Sequence, residues 1–133
     1  MEVIIIGAGQ IGSRHLQGLV NAINPLRITV LDPSDDSLKI AQERWNSAGG
    51  GTTQHEVRWV SSIPDSLTSV DVAILATSAR GRSSLVTRIA ATVEVRFWIL
   101  EKVLEQSVSA LQLMASAVGA SEGAWVNTPR RTM

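Results

Sequence analysis

Short runs of branched aliphatic residues alternate along this chain with longer stretches in which apolar positions return every three or four residues. Strands buried on both faces of a parallel sheet stay apolar throughout, while the helices crossing between them carry one apolar stripe, so the alternation predicts an α/β fold. Six runs qualify as strands: Val3 to Ile6, Ile28 to Leu31, Val57 to Val60, Val72 to Ala76, Val95 to Leu100 and Ala124 to Val126. Joined by right-handed crossovers, they make a doubly wound parallel sheet, a Rossmann fold with strand order 3-2-1-4-5-6.

The first helix is expected to start between Gly9 and Gly12, with Ile11, Leu16, Leu19 and Val20 inward and Arg14, Gln17 and Asn21 outward. Asn24-Pro25 ends it. Ser34 reads as the N-cap of the second helix, with Asp35 and Asp36 at its positive end and Leu38, Ile40, Ala41 and Trp45 on its packed side. Gly49-Gly50-Gly51 stops that helix and, with Thr52 and Thr53, reads as a flexible connection, with His55 beside it in solvent. Pro64 to Leu67 fits a short helical crossover, and Ser83 to Ala91 and Ser107 to Val118 supply the last two helices. Trp45, Trp59, Trp98 and Trp125 all fall in apolar runs or on a helix face, so they are expected to pack in a core or an interface.

Composition narrows the chemistry. The 133 residues amount to one domain, and 12 basic against 12 acidic side chains give zero formal charge, with no basic cluster to hold a phosphodiester backbone. Nucleic acid is therefore not an expected partner. The chain has no cysteine and two histidines, which leaves no material for a thiolate metal site, so no metal is expected. The opening apolar stretch is far shorter than the ~18 residues of a membrane span and lacks a basic leader, so the expectation is a cytoplasmic protein with no membrane partner.

Gly7-Ala8-Gly9-Gln10-Ile11-Gly12 is a GxGxxG that follows one expected strand and opens one expected helix. In that setting the first glycine permits the tight turn and the second lets a pyrophosphate approach the backbone. The third lets the helix lie close to the sheet, and the free amides of the first helical turn face the phosphates. Asp32 ends the second strand about 20 residues further on, the spacing at which a carboxylate can take the ribose hydroxyls of the adenosine half. Together with Asp35 and Asp36 it would repel a 2′-phosphate, so NAD is expected rather than NADP.

With these residues and four further places in view, the chain resembles the Gfo/Idh/MocA oxidoreductases. The glycine motif is followed by Ser13, Arg14 and His15, similar to the family's GxGxxGxxH. Ala73 to Ser78 looks like its fourth strand closing in Ala-Thr-Pro, Glu101-Lys102-Val103 like its Glu-Lys-Pro, and Asn127 to Arg131 like its exit toward a second domain. The resemblance implies that Thr77 and Ser78 lie beneath the cofactor, that Glu101 approaches the nicotinamide ribose, and that Lys102 is the catalytic residue, serving cofactor and substrate alike. It further implies hydride transfer between NAD(H) and a sugar, polyol or nucleotide-sugar. The substrate pocket would be supplied by a second domain, so that residues 1–133 form an amino-terminal NAD(P)-binding piece inactive by itself. Three positions depart from the pattern: Ser78 and Val103 where the family has proline, and Arg82 where histidine is frequent.

A stand-alone NAD(H)-sensing Rossmann module has similar length and the same glycine motif. Glu101-Lys102 and the Arg130-Arg131 exit favour the enzyme, and a native reading frame ending near Met133 would favour the sensor. Apolar surface left by a missing second domain leaves self-association open.

Overall fold

The computed structural model describes residues 1–77, 82–101 and 108–127. Its strands are β1 (Glu2–Ile6), β2 (Arg27–Leu31), β3 (Glu56–Val60), β4 (Ser69–Leu75), β5 (Glu94–Glu101) and β6 (Gly123–Asn127). They form one sheet in the order β3-β2-β1-β4-β5-β6 with every pairing parallel. The helices are α1 (Gln10–Leu19), α2 (Asp35–Ser47), α3 (Arg82–Thr92) and α4 (Val108–Val118). The expected α/β class and strand order are both present, and each strand lies within three residues of its sequence reading.

The unbroken apolar character of β1 has a simple cause. Side chains alternate across a strand, so Val3 and Ile5 enter a core with Leu16 of α1 and Leu38, Ala41 and Trp45 of α2. Ile4 and Ile6 enter the opposite core with Val86 and Ile89 of α3, Met114 of α4, and Trp98 and Leu100 of β5. A strand flanked by helices on both sides has no solvated face, and all four of these residues are at most 2% exposed.

Several expectations are corrected by packing. No helix joins β3 to β4: eight residues make the crossover, and around Pro64 there is only a turn closed by the Leu67 amide on the Pro64 carbonyl. Ile11 is exposed rather than inward, because the buried stripe of α1 runs through Gly12, Ser13 and Leu16 and leaves it to one side. Ile40 is also exposed, since Leu38, Ala41 and Trp45, at spacings of three and four, already fill the stripe that meets the sheet. Trp45 and Trp98 are buried as expected, but Trp125 is 55% exposed on edge strand β6, with its ring 5.4 Å from that of Phe97.

The glycine run is a fitted corner instead of a loose connection. Gly49 takes a left-handed φ of +92° after α2, and Gly50–Thr52 form a single 3₁₀ turn. A Cβ on Gly50 would lie 2.1 Å from the Trp45 ring, so that position is glycine for lack of space. His55 is likewise engaged rather than solvated: its Nδ1 accepts the Leu26 amide at 3.1 Å and its ring stands 6.2 Å from that of Trp45. Gly50→Ala is expected to destabilise the domain by about 1–3 kcal/mol through overpacking. Gly51→Ala, whose Cβ would meet only the Asn46 amide oxygen at 3.5 Å, should change stability far less, as chemical denaturation of the two variants will show.

Candidate functional site

At the carboxyl edge of the sheet, β1 runs into the glycine motif, and its three glycines do different work. Gly7 has φ +101°, and its amide donates to the Leu31 carbonyl at 2.8 Å. A Cβ there would sit 3.0 Å from the Ala76 and Thr77 backbone. Gly12 is the tightest of the three: its Cβ would lie 1.8 Å from the Gly7 carbonyl oxygen, whereas Ile5 is at an ordinary 3.6 Å. The third glycine therefore lets α1 close on its own loop more than on the sheet. Gly9 is the reverse case, because a Cβ there would meet nothing within 4 Å.

Gly9 is also the N-cap of α1. It offers no side chain to the helix, and the first turn contains no acidic residue. The amides of Gln10, Ile11 and Gly12 belong to that turn, where no intrahelical acceptor exists, so among the described residues no side chain caps the positive end of the helix dipole. Oxygen acceptors carrying negative charge are what such an end binds.

Asp32 lies just past β2, and its carboxylate joins two segments. Oδ2 accepts the Ala8 amide and Oδ1 the Ser34 amide, both at 2.8 Å. Ser34 in turn caps α2, accepting the Ser37 amide, with Asp35 and Asp36 in the first turn. A carboxylate has about four acceptor positions, so with two in use Asp32 keeps capacity for hydroxyl donors while its charge stands on the rim of the glycine loop.

The second wall comes from β4 and β5. The Ala76 amide donates to the Ile6 carbonyl at 2.8 Å, which brings Thr77 beside Gly7. The Thr77 hydroxyl oxygen is buried and has no hydrogen-bond partner among the described residues. Glu101, 8% exposed, receives His15 from α1, with Nε2 to Oε1 at 2.5 Å. Arg82, 3% exposed, donates through Nε to the Thr77 carbonyl at 3.0 Å and through a terminal nitrogen to the Glu101 carbonyl.

Gly7, Gly9, Gln10, Ile11, Gly12, Asp32, Thr77 and Glu101 thus gather at one edge of the sheet. Ser78, Lys102, Val103 and the 128–131 exit lie outside the described residues. The sequence reading did not foresee the His15–Glu101 contact or the burial of Arg82. The first had a legible signal, since His15 lies three residues after Gly12 and so shares its helix face. Among the described residues no group of three His, Asp or Glu side chains could hold a metal ion, and no helix is long and apolar enough to cross a membrane.

A cleft of ≈ 700 Å³ opens beside the loop, bounded by Gly7, Asp32, Ile63, Thr77, Leu85 and Arg88. It has both apolar walls and the Asp32 charge on its rim. A second cleft of ≈ 580 Å³ lies at the opposite edge, among Glu2, Arg27, Arg58 and Ser69, and touches none of the residues above. Parallel doubly wound sheets bind ligands at the carboxyl ends of their strands, where order reverses. Here that point is between β1 and β4, and the 700 Å³ cleft adjoins it.

Fold and edge together define a domain of the Rossmann class. No family model matches the sequence, and no curated protein does. Solved structures do match in fold. The WlbA dehydrogenase of Bordetella pertussis, crystallised with NADH and UDP-GlcNAcA, superposes with a TM-score of 0.71 at 17% identity over 96% of this chain and 34% of its own. Myo-inositol 2-dehydrogenase from Lactobacillus plantarum gives 0.71 at 17% identity over 100% of this chain and 38% of its own. Myo-inositol dehydrogenase from Lactobacillus casei, in complex with NAD(H) and myo-inositol, gives 0.67 at 17% identity over 98% and 37%. The chain spans little more than a third of the length of these structures.

The geometry separates the glycines experimentally. Gly12→Ala should cost at least about 1–3 kcal/mol, because backbone has to move to admit the methyl group. Gly9→Ala should stay within about 1 kcal/mol of the parent protein, the difference between glycine and alanine at an N-cap. Thermal and urea unfolding of the two variants measure this directly.

Proposed function

We propose that this chain is the NAD(H)-binding domain of an oxidoreductase of the Gfo/Idh/MocA type, acting on a sugar, polyol or nucleotide-sugar in the cytoplasm. The observation that carries this reading is the uncapped first turn of α1, with open space above Gly9 and the Asp32 carboxylate on the same rim. A dinucleotide needs both features about one pyrophosphate apart, and a simple turn needs neither. Support also comes from structures of the same fold that hold NADH or NAD(H) together with UDP-GlcNAcA or myo-inositol.

The residues fit such a cofactor. The amides of Gln10, Ile11 and Gly12 would receive the pyrophosphate, Asp32 the adenosine ribose, and the cleft between Ile63 and Leu85 the adenine. The buried hydroxyl of Thr77, which has no partner among the described residues, gives the floor a group able to donate to the cofactor. Glu101, oriented by His15, is assigned to the nicotinamide ribose, and Ser78, outside the described residues, is assigned to the cofactor on the family resemblance alone. When bound, the nicotinamide supplies hydride chemistry. Lys102 is assigned to the substrate oxygen: as a free amine it would accept the hydroxyl proton in the oxidation, and as an ammonium it would stabilise the negative charge that grows on that oxygen in the reverse reduction and return the proton. Substrate binding belongs in this reading to a second domain, so the 133-residue chain alone binds cofactor without turnover.

Calorimetric titration tests the assignment. NADH should bind at least about tenfold more tightly than NADPH, because a 2′-phosphate would approach Asp32, Asp35 and Asp36. Gly9→Ala should weaken NADH binding by about tenfold or more by filling the phosphate approach, with its unfolding transition close to that of the parent. Equal or tighter NADPH binding, or a Gly9→Ala variant with full affinity, would remove the basis of the proposal.

A further inference from the structure

The register of β4 with β5 runs to the rung of Leu75 and Leu100. Beyond that rung the Ala76 amide turns to Ile6 of β1, while Glu101 pairs with Asn127 of β6. Thr77 and Glu101 therefore both lie beyond the last rung described between these two strands. Arg82, the first residue of α3, reaches both of them. Its guanidinium donates to the Thr77 carbonyl on one side and the Glu101 carbonyl on the other, and it is almost fully buried in doing so.

A guanidinium suits the task because it is planar and permanently charged, with five N–H donors in a fixed fork that can serve two carbonyls at once. A neutral imidazole has one N–H and could serve only one of them. Meanwhile the Glu101 side chain is held separately by His15. One residue of the site is thus gripped through its carboxylate by α1 and through its carbonyl by α3.

We infer that Arg82 is a positioning residue for the nicotinamide half of the cofactor seat, setting the spacing between the Thr77 and Glu101 strand ends while leaving the adenosine half to Asp32 and the glycine loop. This inference rests on the proposed NAD(H)-binding reading. It predicts that the two halves of the ligand respond differently when Arg82 is changed, which a general loss of stability would not produce.

The test uses the 133-residue chain and two probes, NADH for the whole seat and ADP for the adenosine half, with Arg82→Met and Arg82→Lys. Arg82→Met should lower NADH affinity by about tenfold with ADP affinity within about twofold of the parent, and Arg82→Lys should recover part of the NADH loss because an ammonium can still serve one carbonyl. Parallel loss of NADH and ADP binding, or unchanged NADH binding in both variants, would overturn the positioning role. If Arg82→Met does not fold, the NADH-to-ADP affinity ratio of Arg82→Lys decides alone, and an unchanged ratio counts against the role. A parent protein that binds neither probe defeats the NAD(H) reading itself, and the inference with it.

Discussion

The end of β2 holds the glycine turn, and the rest of the site depends on that grip. The Leu31 carbonyl takes the Gly7 amide, and the neighbouring Asp32 carboxylate takes the Ala8 amide, each at 2.8 Å. Two consecutive donors of the loop are satisfied in this way, and the next donors in the chain belong to the first turn of α1, which has no side-chain cap. A turn fixed at its first two amides and left free at the following ones presents a directed set of donors. Without the clamp, the same glycines would only make the loop flexible.

That constraint organises the neighbouring wall too. With Gly7 fixed, no side chain can occupy the space that Thr77 and the Ala76 carbonyl carbon approach to 3.0 Å, so the end of β4 packs directly on the turn. α1, closed on the Gly7 carbonyl through Gly12, carries His15 to the end of β5 and its Glu101. Elements from both faces of the sheet therefore meet at a few residues on one edge. The core below them is rigid for an ordinary reason, since apolar side chains of β1 are buried on both sides and helices cover each face.

Most of this architecture was legible in the sequence because the signals were local. Doubly buried strands leave unbroken Val and Ile runs, and a GxGxxG between strand and helix has one geometry that uses all three glycines. What escaped prediction depended on contacts distant in sequence. Ile11 and Ile40 carry the right residue type but fall outside the stripes set by Leu16 and by Leu38, Ala41 and Trp45. Gly50 looked like slack because its reason is the Trp45 ring, which only the folded corner brings near. Arg82 read as a departure from a family pattern. Its burial between two carbonyls depends on Thr77 and Glu101, which lie on two different strands and which no local pattern brings together.

The most direct measurement is a titration of ¹⁵N-labelled protein with NADH followed residue by residue through backbone amide resonances. The expected result is that the largest shifts fall on Gln10, Ile11 and Gly12, with smaller ones at Asp32 and Thr77, while the amides around Arg27, Arg58 and Ser69 at the opposite edge stay in place. Unmoved α1 amides, or shifts gathered at that opposite edge, would contradict the central claim that the clamped turn is a seat for a diphosphate.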